Sequence, residues 1–238
     1  LTLTAWEKIL YVFFPRRCDC CGCVVHMYEA VCPKCLDALP DTAIKEACFK
    51  CANGFDFCLC GRKRKKYNGV TAPFYYEGPA ENAIHRLKFA QKPETAKTLA
   101  KYMANRVKEL YEWEKFDIIS FIPAGETSQK DKEFNSAELL AKELALLLDI
   151  QCLSLLAKVI DTPPQKNLTA EERKANLFGA FDVTEEIPLA DKCILLCDDV
   201  VTTGATFEEC SYMLKLYGAK EVYCAAAAAA KKEFIEKV

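Results

Sequence analysis

The chain has 238 residues, 51% of them apolar, and a formal net charge of -2. That length suits one large domain, or one medium domain with a small module, and allows a real core. The charge balance gives no global basic field to drive nucleic-acid binding, and no apolar run reaches the roughly 18 residues of a membrane span.

At the start, Leu3, Trp6, Leu10 and Phe13 recur at helical spacing, which predicts a short helix over Leu3–Phe14 docked on its own domain. Arg16 and Arg17 follow this stretch instead of preceding it, the wrong order for a signal peptide.

Fifteen cysteines follow, ten of them between Cys18 and Cys60. An odd count without a signal peptide argues against a secreted disulfide framework. It points to a reducing cytoplasm and metal-bound thiolates. Cys18-x-x-Cys21, Cys32-x-x-Cys35 and Cys48-x-x-Cys51 are three clean pairs, and Cys58-x-Cys60 is a fourth that is one residue shorter. Two thiolates in a tight turn can bite one zinc, and two such pairs complete a tetrahedron. The eight cysteines therefore predict two structural zinc ions, and metal would stabilise a module too small to fold on its core alone. Cys20 and Cys23 form an overlapping frame, so the first pair has two registers, and the pairing of pairs is open. His26 lies among the thiols without being needed as a ligand.

Composition changes near residue 67, after the basic run Arg62–Lys66, where Asn68-Gly69 is a turn signal. This divides the chain into 1–66, the N-terminal helix with the cysteine-rich module, and 67–238. Residues 1–70 carry 11 Lys+Arg against 7 Asp+Glu, and the remainder 21 against 27. The basic run with Tyr67 could meet phosphates or be a solvated linker.

Beyond the boundary the pattern predicts a strand at Phe74–Tyr76, helices at Pro79–Ala90 and Glu94–Tyr111, and a buried strand at Asp117–Ile122. A helix over Asn135–Leu148, a short strand at Cys152–Leu156 and a short helix or turn at Thr169–Asn176 follow. Lys192–Cys197 reads as a strand, Thr206–Tyr217 as a helix and Val222–Ala227 as a strand. The alanines 225–230 could continue that strand or start a terminal helix, since polyalanine favours helix by propensity. Alternation of this kind implies an α/β fold with a mostly parallel sheet covered on both faces.

The most informative segment is 193–206. Its apolar strand leads to Asp198 and Asp199, at the strand end where open α/β sheets bind ligands. Two adjacent carboxylates suit the neighbouring 2′ and 3′ hydroxyls of a ribose. Thr202, Thr203, Gly204, Ala205 and Thr206 then form a turn whose amides and hydroxyls, at a helix N-terminus, suit a phosphate. A plain capping turn would need one threonine and no acids. The combination predicts a ribose-5-phosphate type site.

This segment resembles the phosphoribosyl pyrophosphate (PRPP) binding motif of the type I phosphoribosyltransferases. The resemblance implies that Asp198 and Asp199 hold ribose, that 202–206 hold the 5′-phosphate, and that magnesium accompanies PRPP. The chain as a whole resembles the ComF family, of the ComFC type: a cysteine-rich zinc module ahead of a phosphoribosyltransferase-like domain. The likeness is carried by Phe14-Pro15, Ile84–Phe89, Phe121-Ile-Pro123, Phe134-Asn135, Thr162, Gln165, Leu168, Arg173, Asn176, Gly179–Phe181 and the PRPP motif. Lys132-Glu133 stand where the family has Arg-Gly, which keeps a positive charge but loses the planar fork. The resemblance implies a cytoplasmic role in natural transformation, with single-stranded DNA and a competence helicase as partners. Its rival is an active phosphoribosyltransferase, with Arg86, Lys88, Lys132 and Arg173 as pyrophosphate contacts. His85 reads as a surface or phosphate-facing residue, not a catalytic base.

Overall fold

The computed structural model describes residues 11, 13–39, 48–54, 58, 60–61, 64–89, 92–125, 134–160, 179–184 and 187–231. Most of the expected N-terminal helix, the expected element at Thr169–Asn176, and Arg62, Lys63, Lys132 and Arg173 lie outside the described residues. In chain order the elements are α1 (Pro33–Asp37), β1 (Gly69–Thr71), β2 (Phe74–Tyr75), α2 (Gly78–Phe89), α3 (Glu94–Leu110), β3 (Ile118–Phe121), α4 (Ser136–Leu148), β4 (Leu156–Lys158), β5 (Phe181–Val183), β6 (Cys193–Val201), α5 (Ala205–Leu216) and β7 (Glu221–Ala229).

A five-stranded sheet has the order β1–β7–β6–β3, with β2 also paired to β7, and every pair is parallel. Strand β6 carries an apolar run whose side chains alternate between the two faces. Leu195 and Cys197 join Ile119, Phe121, Ala225 and the helices α2, α3 and α4 in one core layer. Ile194 and Leu196 join Ile118, Val222, Ala226 and α5 in the other. Helices therefore cover both faces, as parallel strands require. Helix α3 turns Ala96, Leu99, Ala100, Met103 and Val107 inward at spacings of three and four, a single apolar stripe. Helix α4 does the same with Ala137, Leu140, Ala141, Leu144 and Leu148.

Two elements differ from the sequence reading, and one open choice is decided. The strand expected to stop at Cys197 runs on to Val201, so both acids lie within β6 and pair alongside Ala226–Ala228 of β7. The strand expected at Cys152–Leu156 is displaced: Cys152 makes only a bridge to Ile119, and Leu156–Lys158 pairs antiparallel with Phe181–Val183. The alanines 225–229 take the strand alternative, and each is at most 1% exposed. Position overrides propensity here. Strand β7 is flanked by β1, β2 and β6 and sandwiched between helix layers, where only small side chains fit.

None of the fifteen cysteines, all of them among the described residues, forms a disulfide. Cys193, Cys197, Cys210 and Cys224 are buried in the sheet layers and pack there as small apolar groups. No helix among the described residues is long and apolar enough to cross a membrane.

Candidate functional site

Near its carboxyl end, two and three residues before Val201, strand β6 presents Asp199 and Asp198, with the Asp199 amide donating to the Asp198 carboxylate at 2.8 Å. Buried Asp199 is held from two other elements. Lys88, near the end of α2, places its ammonium 2.7 Å from Oδ1. Ser136, the first residue of α4, donates from its hydroxyl to Oδ2. The α4 start is fixed by Asn135, whose Oδ1 accepts from the Ala137 amide at 3.0 Å. The Asn135 amide group donates to the Ile122 carbonyl at 2.9 Å, binding the loop after β3 to the same corner.

Burial lowers the Lys88 pKa, but the Asp199 charge and hydrogen bond outweigh it, and the net shift is upward. Burial first, then the Asp199 charge, push the Asp198 carboxyl up to about 8, with Lys88 opposing. Asp198 keeps partial solvent contact, which moderates the size of this lift and leaves its direction. The corner thus holds one salt-bridged carboxylate and one that retains its proton readily. Together they can accept from and donate to vicinal hydroxyls.

The turn after β6 continues into α5. Gly204, at φ +76°, is the N-cap, so α5 starts one residue before the expected Thr206, and no side chain caps the helix there. Thr203 Oγ1 accepts from the Ala205 amide at 3.2 Å, which shapes the turn. Helix-terminal amides and threonine hydroxyls so placed match an anionic group.

Of the expected ligand-site residues, Asp198 and Asp199 lie on β6, Thr202, Thr203 and Gly204 in the turn that follows, Ala205 and Thr206 at the start of α5, and Lys88 of α2 reaches Asp199. Ser136 was not read from the sequence, although Asn135-Ser136 before an apolar helix is a capping signal that leads to that position. Tyr67, read from the sequence only as part of the basic run, reaches the turn as well. Its ring packs edge-on to Phe207, and its hydroxyl abuts Gly204. His85 is exposed on α2, 4.0 Å from Glu81 and stacked on Tyr76, with no contact to the acids.

The sulfurs gather in two places. Cys48, Cys51, Cys58 and Cys60 lie within 4.8 Å of one another. At the other, Cys18, Cys21, Cys23 and Cys32 form one such set, and Cys18, Cys20 and Cys35 form another. Six thiols therefore gather around Cys18, with Cys20 and Cys23 falling in different sets. His26 stacks on Tyr28 and belongs to neither gathering. The donor set fits zinc. The Cys21 and Cys32 sulfurs are 3.7 Å apart, close to the edge of about 3.8 Å that a tetrahedron with Zn–S of about 2.3 Å requires. Backbone amides donate to sulfur, from Cys32 to Cys18 at 3.3 Å and from Lys50 to Cys48 at 3.4 Å. A hydrogen bond from the Cys23 amide is the main cause lowering the Cys21 thiol to about 6, which favours the ligating thiolate.

Residues 135–237 match the phosphoribosyl transferase domain family. Competence protein F of Haemophilus influenzae is 28% identical over 223 residues, which are 88% of this chain and 95% of that protein. DNA utilization protein YhgH of Escherichia coli is 28% identical over 213 residues, 87% of this chain and 88% of that one. Among solved structures, a purine phosphoribosyltransferase from Pyrococcus horikoshii is 22% identical and covers 54% of this chain and 68% of its own, with a TM-score of 0.33. With its acid-bearing strand, its glycine at the helix start and its cysteine clusters ahead of the domain, the chain carries a phosphoribosyl transferase domain of type I phosphoribosyltransferase-like fold and is similar along most of its length to competence protein F and YhgH.

Proposed function

We propose that the chain binds PRPP or a related ribose 5-phosphate at the end of β6, and that it uses this site in handling incoming single-stranded DNA. One observation carries the reading: Asp198 and Asp199 stand at a parallel strand end, directly ahead of a glycine-capped helix N-terminus. Vicinal hydroxyls on the acids and a 5′-phosphate at 202–206 use both halves at once. Magnesium would accompany PRPP, and the acids and loop would need to accommodate it. Lys132 and Arg173 remain proposed phosphate contacts by resemblance.

The DNA context is drawn from the names of the two relatives, competence and DNA utilization. A cleft on α2 supports it, lined by His85, Arg86 and Phe89. Arg86 also lines a second cleft with Phe13, Phe14, Arg17 and Lys92, where Asp19, paired with Arg16, and Glu94 offset part of the positive charge. Phe13, Phe14 and Phe89 are each more than half exposed. Cations interleaved with exposed rings suit a stacked single strand. Residues 65 and 66 of the basic run contribute less than their sequence suggests: Lys65 pairs with Glu208 at 2.9 Å, and Lys66 lies over the Tyr212 ring.

The rival is a transferase, in which a nitrogen nucleophile attacks C1 and pyrophosphate leaves. It is favoured by Ser136 meeting Asp199, with the loop at Ile122 tied to the neighbouring Asn135, where the pyrophosphate end would lie. Calorimetry with PRPP and magnesium, on wild type and on the Asp198→Asn/Asp199→Asn variant, tests the shared premise. Binding lost in the variant supports the site, and equal binding overturns it. Pyrophosphate release with a nitrogen acceptor would then select the transferase, and salt-dependent DNA binding without release would select the uptake role.

A further inference from the structure

The second thiolate cluster sits against the phosphate turn. Lys50, between Cys48 and Cys51, is gripped from both halves of the cluster. Its amide donates to Cys48 Sγ at 3.4 Å, and its ammonium donates to the Gly61 carbonyl, beside Cys60, at 3.0 Å. Its own carbonyl accepts from the Tyr67 hydroxyl at 2.6 Å. That hydroxyl is also pressed on the turn: a Cβ placed on Gly204 would lie 2.7 Å from it. Burial raises the Tyr67 pKa, so the group stays a donor.

Two further ties run the same way. Asn53 donates to the Cys51 carbonyl at 3.0 Å and to the Ala230 carbonyl at 3.2 Å. The Ala230 amide donates to the carbonyl of Val201, the residue before the turn, at 2.8 Å. Lys65 is paired with Glu208 in the first turn of α5. A tyrosine serving only as core would need no hydroxyl, since its ring alone fills the space beside Phe207. Here the oxygen is aimed at a carbonyl between two metal-ligand candidates and at the one glycine that caps α5.

We propose that Tyr67 is a positioning residue for the turn 202–204, and that it couples the turn to the Cys48–Cys51–Cys58–Cys60 cluster. Metal held by the four thiolates fixes Lys50, Lys50 fixes the Tyr67 hydroxyl, and the hydroxyl fixes the turn. Loss of the cluster then loosens a sugar-phosphate site made of entirely different residues. The functional half of this proposal rests on the turn being a phosphate site; the coupling itself does not.

The experiment uses the full chain in four forms: wild type, Tyr67→Phe, Cys58→Ser/Cys60→Ser, and all three changes together. Two measurements are made on each, hydrogen exchange of the 202–207 amides and calorimetric titration with ribose 5-phosphate. Tyr67→Phe and the cysteine variant are each expected to speed exchange and to weaken binding about tenfold, the scale of one lost hydrogen bond. Because both act through one path, the triple variant should be no worse than either alone. Multiplicative losses, or unchanged exchange in zinc-loaded Tyr67→Phe, overturn the proposal. If the cysteine variants fail to fold, that last comparison still decides. If wild type binds no ribose 5-phosphate, the proposed function fails, while the exchange data still judge the coupling.

Discussion

Asp199→Asn separates the site from the fold. The wild-type carboxylate accepts from Lys88 and Ser136, with side-chain exposures of 12% for Asp199 and 23% for Lys88. A ribose hydroxyl bonded to a charged acceptor contributes about 2 kcal/mol, so the neutral amide should weaken ribose 5-phosphate binding about 30-fold. The cost to stability is smaller than a broken buried ion pair suggests. Asp198 is held protonated partly by the Asp199 charge and lies within the electrostatic reach of Lys88. Once Asp199 is neutral, Asp198 ionises more readily and takes over the lysine. The partial exposure of both partners discounts the loss further. We expect a net cost of about 1 kcal/mol, which is about 2–4 °C in Tm for a chain of this size. Calorimetry at pH 7.5 and a thermal melt read the two quantities. An unchanged Kd would refute the ribose role of Asp199. A drop in Tm of more than about 10 °C would refute the exchange of partners.

Asp198→Asn should stabilise the protein above neutral pH. With its pKa raised from 3.8 to about 8, the folded state binds more protons than the unfolded one across that window, so stability falls as pH rises through it. The variant's Tm advantage should grow from pH 4 to pH 8, and a pH-independent difference would contradict the raised pKa. Metal analysis of protein purified without chelator should find about two zinc ions per chain, and finding none would sink the zinc assignment. Gly204→Ala combines a φ of +76° with a contact of 2.7 Å to Tyr67, so phosphate-ester affinity should fall about tenfold or more; full affinity would mean the turn does not need its shape. Asn135→Ala removes the α4 cap and the tie to Ile122, and should cost about 1 kcal/mol in denaturant melts.

What was legible in the sequence was chemistry concentrated in a short run. The acids and threonines of 198–206 declare themselves because buried carboxylates and repeated hydroxyls have few structural uses. The paired cysteines do so because ligand spacing is local. Partners brought from afar were not legible. Ser136 lies 63 residues from Asp199, and the Tyr67 hydroxyl acts on Lys50 and Gly204 from either side of a predicted boundary. The alanines of β7 were legible only as an open choice between strand and helix, because burial between two helix layers selects for size whatever the intrinsic preference.

The Lys88 pair also resolves a conflict between charge and ligand. Residues 71–238 carry 21 Lys+Arg against 27 Asp+Glu, a poor field for a phosphate. Attraction must therefore be local, from the helix start at Gly204 and from cations brought to the corner. Lys88 serves the empty and the filled state alike. Without ligand it balances Asp199, which would otherwise be a costly buried charge beside a second acid. With a phosphosugar bound, hydroxyl donors satisfy the carboxylate, and the ammonium is free to turn toward phosphate oxygens. Replacing Lys88 with Met should thus harm both states. The bound state should suffer more, because it loses an attraction, whereas the empty state can recover by protonating an acid. The signature is ribose 5-phosphate affinity that falls more steeply with rising pH in Lys88→Met than in wild type, and parallel pH profiles would refute this division of roles.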